Sequence, residues 1–367
     1  EPMADALGYP DEPVGWADLI RLAQDPQGWA AYGHPEWGPF RLGKTNPNFS
    51  TSGLSALIAQ TYASAGKTEG LSSEDLASAA VIDAARAVES AVVHYGDTTL
   101  TFLNNWYRTD QRGTSLTYVS AAAVEEKSVI DYNRGNPDGN LDPGERPEAP
   151  EIPLVAIYPE EGSIYSDNPY IILDAEWVTD DERDAAEAFE DFVQTPENQR
   201  KVLEYGFRPG NPDVAIGEPI VADLGVDATE PATLLEVPEP QVMVDLLDDW
   251  AEQRKGARVT IVLDVSGSMG DTAGTSGDSK LELAVEAAKE ALDQFKADDL
   301  VGLRIFTTGL GPDEDGSWLD LAAVEPLAAN KEELRRELDE QYPRAGTPLY
   351  EVVQATYDEA LAAYDPL

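Results

Sequence analysis

The chain has 367 residues, 42% of them hydrophobic, with 70 acidic against 25 basic side chains and a formal net charge of −45. That length suits two or three domains, each able to bury its own core. The charge argues against nucleic acid or an anionic membrane surface as a partner, and the absence of cysteine excludes disulfides, thiolate metal sites and thiol nucleophiles.

Residues 1–33 read as helical segments; over 15–24, Trp16, Leu19, Ile20, Leu22 and Ala23 fall on one face. A short strand is predicted over 37–44, followed by a turn whose hydroxyls Ser50, Thr51 and Ser52 open a helix over 54–65. Such a terminus has two readings. It is an anion site, where free N–H groups and the helix dipole converge, or a simple N-cap by one Ser. A long alanine-rich helix is predicted over 72–94, more helix over 98–107, a strand over 117–120 and a helix over 121–132. Residues 133–153 lack any period and read as an exposed acidic loop. Within it Asp138, Asn140 and Asp142 imitate a calcium loop, but Pro143 stands where that loop needs Gly and its twelfth position has no Glu. Strands are predicted over 154–158 and 170–173. Thr179 with Glu182 forms a capping box for a helix to Val193, with Ala186, Phe189, Phe192 and Val193 inward. Thr195-Pro196 opens a further helix that Gly206 stops.

Several pieces of this run resemble, in order, the C-terminal part of extracellular solute-binding proteins of the periplasmic type, particularly the molybdate-like branch. They are Leu42-Gly43-Lys44-Thr45-Asn46-Pro47, Ser50-Thr51-Ser52-Gly53-Leu54, Ala156-Ile157-Tyr158-Pro159-Glu160-Glu161-Gly162, Asp167-Asn168-Pro169-Tyr170 and the helix pair from Phe189 to Gly206. The resemblance covers residues 1–215. It implies an incomplete two-lobe α/β module that clamps a small anionic solute, with the opening strands of the first lobe outside this chain. Ser50, Thr51 and Ser52 are its candidate ligand-binding residues.

Residues 216–255 read as an acidic, Pro-rich linker with a short strand over 218–221 and a connecting helix over 240–253. Val242, Val244, Leu246, Leu247 and Trp250 form the inner face of that helix, which is placed with a second fold, the boundary lying near residue 240. In residues 256–367, Val259 to Leu263 are apolar or β-branched and fit a buried strand. Asp264, Ser266 and Ser268 then follow at alternate positions on a glycine-relaxed turn. Hard oxygen ligands at the carboxyl end of a parallel strand suit Mg²⁺. An amphipathic helix over 280–297, a strand over 300–306 and helices over 330–342 and 349–364 complete an α/β order that predicts a parallel, doubly wound sheet.

Asp264-Val265-Ser266-Gly267-Ser268 and, later, Ala345-Gly346-Thr347-Pro348-Leu349-Tyr350 resemble the two metal-loop motifs of von Willebrand factor type A domains. The resemblance implies a Rossmann-like domain with a metal-ion-dependent adhesion site. Ser266 and Ser268 would ligate Mg²⁺ (or Mn²⁺ or Ca²⁺) through their hydroxyls, Thr347 directly or through water, and Asp264 through bound water. A carboxylate from a protein partner would complete the shell, without covalent chemistry. A family Thr-Asp-Gly on the next strand lies beyond Leu367, so one carboxylate remains and metal affinity should be low. Thr307 and Thr308 are weaker candidates for the same crevice. Neither Ser266 nor Ser268 lies in a Gly-x-Ser-x-Gly turn, the two histidines His34 and His94 fall in the N-terminal region, and residues 267–280 lack phosphate-loop spacing. The expectation is therefore a non-enzymatic piece of an extracellular or surface-anchored bacterial protein that recognises a protein partner through a metal. The alternatives are an oxyanion-like solute receptor of a transport or sensing system carrying an appended interaction domain, and an intracellular adaptor of an ATPase.

Overall fold

A computed structural model of the chain describes all residues except 97, 141–143, 145, 275–276, 312–315 and 364–367. The chain divides into two compact units, residues 1–255 and 256–367.

The first unit contains, in chain order, α1 (Pro2–Ala6), α2 (Trp16–Gln24), β1 (Leu42–Thr45), α3 (Thr51–Ala65), α4 (Ser73–Leu76), α5 (Ala79–Ala91), β2 (Val92–Gly96), α6 (Thr99–Asp110), α7 (Ser115–Tyr118), β3 (Ala121–Ala122), α8 (Glu126–Asn133), α9 (Asp180–Val193), α10 (Pro196–Glu204) and α11 (Pro240–Gln253). Its sheet has the order β2-β1-β3, with both pairings parallel. The central strand β1 is buried along its whole length, and two glycines let helices sit directly on it. A Cβ at Gly43 would lie 2.2 Å from the Phe102 ring of α6, and one at Gly53 would lie 2.4 Å from the Thr45 carbonyl oxygen. The main core joins Trp16, Trp29, Trp37, Leu57, Tyr62 and Val88 to Val242, Leu246 and Trp250 of α11. That helix, placed by sequence with the second fold, packs instead into the first unit. Its inner face is as expected at these three positions, while Val244 is exposed.

Several expectations are corrected here. Residues 72–94 are not one helix. Ser72 accepts a cap bond from Asp75, and Ser78 accepts one from Val81, so the helix stops and restarts. Val92 and Val93 then favour a strand, and β2 pairs with β1. The strand expected over 117–120 is partly the helical turn α7, strand pairing begins at Ala121, and the next helix waits until Glu126. Residues 154–158 and 170–173 form no ladder. Ala156 N–H bonds to the Gly225 carbonyl, and the bridge between Ser163 and Leu234 stands alone. The segment is anchored otherwise: the Glu161 carboxylate accepts from the backbone N–H groups of Trp16 and Ala17, capping α2. Residues 218–221 are a turn that buries Ile220. The capping box of α9 forms as expected, but Phe189 and Phe192 are 52% and 58% exposed instead of inward. With no ladder over 170–173 beside it, the stripe meets Tyr170 at Phe189, ring centroids 5.7 Å apart. In the acidic loop, Asp138 accepts from the Asn140 N–H in a local turn, while Asp142 and Pro143 lie outside the described residues.

His94 of β2 stacks on Tyr118 at 4.1 Å. Burial holds its imidazole below the usual range, the Tyr118 backbone opposes this, and Arg41 adds to it. The unfolded chain therefore takes up the proton first as pH falls. Stability should be full above the ordinary histidine range and decline as pH drops through about 6.5. Thermal melts of His94→Gln are expected to show a shallower decline than wild type over that window; parallel curves would contradict this.

The second unit contains β4 (Arg258–Asp264), α12 (Lys280–Leu292), β5 (Leu300–Leu310), β6 (Gly316–Pro326), α13 (Leu327–Asp339) and α14 (Leu349–Ala362). Its sheet has the order β4-β5-β6. Strands β4 and β5 run parallel across the α12 connection, but β6 returns antiparallel to β5. The sheet is thus mixed, not all parallel, because a connection as short as 311–315 can only make a hairpin. Leu263, Val265, Leu281, Leu292, Leu303 and Ile305 form the core with Leu334 and Leu338 of α13. Arg304, 2% exposed, is held by both Asp320 carboxylate oxygens and by Glu359.

Candidate functional site

In the first unit, the carboxyl end of β1 meets the first turns of α3 and α6 in a cluster of hydroxyls. Thr45 Oγ1 donates to Ser50 Oγ at 2.7 Å, and Ser52 Oγ lies 3.3 Å from Thr45 Oγ1, 2.9 Å from Ser50 Oγ and 2.6 Å from Thr99 Oγ1. Ser50 occupies the N-cap of α3, yet its side chain makes no cap bond to the helix. Its hydroxyl is drawn into the cluster instead. Four neutral hydroxyls therefore gather at the positive end of a 15-residue helix, an arrangement whose dipole favours an anion. Ser52 is only 8% exposed and Thr51 is exposed. The absent side chain at Gly53 allows the approach, because any Cβ there would meet the Thr45 carbonyl. Lys44 does not add charge to the cluster: its ammonium is buried against Glu89 at 2.7 Å. Ser50, Thr51 and Ser52 were expected from sequence. Thr45 and Thr99 were not, although a Thr-Thr pair before a helix at 98–99 is a signal of the same kind.

In the second unit, Asp264 ends β4, and its carboxylate accepts from the Ser266 N–H at 2.7 Å. Ser266 is fully buried, with Oγ 3.4 Å from Ser268 Oγ. The loop at 344–346, far off in sequence, is tied to this turn. Arg344 N–H donates to the Val265 carbonyl and Gly267 N–H to the Ala345 carbonyl, both at 2.8 Å. Thr307 donates to the Gly346 carbonyl at 2.9 Å and accepts from Ala345 N–H at 3.1 Å, while Thr308 accepts from Gly346 N–H at 2.9 Å. Asp264, Ser266, Ser268, Thr307 and Thr308 are thus brought to one end of β4 and β5, and Thr347 follows directly on the docked loop. Thr347 is not the helix cap: α14 begins at Leu349 with Pro348 at the N-cap. Hydroxyls and one carboxylate are hard donors that suit Mg²⁺, but a single negative charge makes a weak site. Among the described residues no group of three or more His, Cys, Asp or Glu side chains is placed to hold a metal.

No solved structure matches the chain significantly. It is similar to uncharacterized proteins of two Mycobacterium tuberculosis strains, CDC 1551 and H37Rv, each 24% identical over 353 residues, or 95% of this chain. The chain spans about half the length, 47%, of these curated relatives. Among the described residues, no helix is long and apolar enough to cross a membrane. A family model described as bacterial extracellular solute-binding protein matches residues 7–208, more than half of the chain, including the whole hydroxyl cluster. The chain belongs to the bacterial extracellular solute-binding protein family.

Proposed function

We propose that the chain serves as a receptor for a small oxyanion-like solute in an extracellular transport or sensing system. In this reading residues 1–215 supply the solute-binding module, and residues 256–367 are an appended interaction domain. The observation that carries it is the hydroxyl cluster of Thr45, Ser50, Ser52 and Thr99 at the start of α3, inside the stretch that matches the family. The activity is binding, without covalent chemistry. A second reading is favoured by the docking of the 344–346 loop on the Asp264 turn. It makes residues 256–367 a von Willebrand A domain that meets a protein partner's carboxylate through Mg²⁺ held by Asp264, Ser266, Ser268 and Thr347.

Calorimetric titration separates the two on the protein that carries this chain. Molybdate and sulfate should bind wild type and Asp264→Ala alike, and Ser52→Ala about tenfold or more weakly, the loss of one charge-assisted hydrogen bond. Oxyanion binding that ignores Ser52→Ala would contradict the receptor assignment. Mg²⁺-dependent partner binding abolished by Asp264→Ala would support the adhesion role.

A further inference from the structure

A small cavity of about 20 Å³ lies within the first unit, lined by residues of α3, α5 and α11. Its polar lining is Gln60, Thr61, Glu89, Asp249, Trp250 and Gln253, and Ala85 and Leu246 are among its apolar lining. Gln60 is 2% exposed. Its Oε1 accepts from the Lys44 ammonium at 3.3 Å, which orients the amide, because the turned-over form would aim NH₂ at a cation. Gln60 Nε2 is then buried with no acceptor in the protein, a loss of about 1–3 kcal/mol if nothing supplies one.

We infer that this cavity holds one ordered water, which accepts from Gln60 Nε2 and donates to the carboxylate of Asp249 on α11. The volume exceeds the roughly 10–15 Å³ that one water needs, and it leaves no room for a larger solute. A cation does not fit the chemistry despite the acidic wall, since a donor N–H faces the space. The water joins α3 to α11 and so helps fasten α11 onto the first unit. Gln60 and Glu89 both line the cavity and both bond Lys44, making the Lys44–Glu89 pair one end of a hydrated polar seam.

A high-resolution crystal structure of the full chain tests this directly. Density for one water within hydrogen-bond reach of Gln60 Nε2 is expected, and it should vanish in Ala85→Val, which fills the cavity from α5, and in Gln60→Leu. Oxygen-17 relaxation dispersion in solution should lose one long-lived water in the same variants, a readout that needs only one of them to fold. Absent density in wild type, an ion in its place, or a protein oxygen found bonded to Gln60 Nε2 would each overturn the inference.

Discussion

Lys44→Met is expected to destabilise the first unit by about 3–5 kcal/mol, the usual result of removing one partner from a buried ion pair. The Lys44 and Glu89 side chains are 0% and 2% exposed and meet at 2.7 Å, so the variant deprives a buried carboxylate of its cation. The double variant Lys44→Met/Glu89→Leu should recover most of the loss, because replacing both charges by apolar groups removes the desolvation cost as well as the attraction. Urea unfolding of the four-member cycle measures both effects. A single variant within about 1 kcal/mol of wild type would place the pair among surface-like ion pairs and contradict the burial on which this expectation rests.

Gly53→Ala is expected to act on binding as well as on folding. The added methyl would sit 2.4 Å from the Thr45 carbonyl oxygen and 2.9 Å from its Oγ1. Neither is the free end of a flexible side chain, so the first turn of α3 must move away from β1. Overpacking of this kind costs about 1–3 kcal/mol. The same movement separates Ser50 and Ser52 from Thr45, so oxyanion affinity should fall by about tenfold or more while the circular dichroism spectrum is kept. Wild-type affinity in this variant would show that the hydroxyl cluster is not the solute contact. Gly66→Ala offers the comparison, since its Cβ meets nothing within 4 Å; it should leave oxyanion affinity unchanged, though its φ of +65° makes some loss of stability expected there too.

The elements that were legible in sequence carry their own local signals. The box of Thr179 and Glu182, the Thr195-Pro196 start and Pro240 set the N-termini of α9, α10 and α11, and those helices begin where these residues require. The apolar run before Asp264 likewise marked β4. What failed depends on distant partners. Val92 to Gly96 follows helix without a breaker, and its strand exists because β1 offers a free edge. Residues 154–158 and 170–173 have strand composition but no ladder in which to spend it. Strand β6 was missed because Trp318, Asp320 and Ala322, at alternate positions opposite β5, mix polar and apolar; Asp320 is there for Arg304. In the hydroxyl cluster, Ser50 and Ser52 showed as a motif, whereas Thr45 and Thr99 join only when β1 and α6 converge. The meeting of the Asp264 turn with residues 344–346 was implied by the resemblance of the two loops, although no spacing rule contains the backbone bonds that tie them.

The central claim is that an oxyanion-like solute is held at the start of α3, and an anomalous-difference map tests it most directly. Crystals of the protein soaked with tungstate should show a peak within hydrogen-bond reach of the Thr51 or Ser52 N–H groups and the Ser50 hydroxyl, lost in Gly53→Ala. A peak elsewhere in the protein, or none at a concentration that saturates binding in solution, would contradict it.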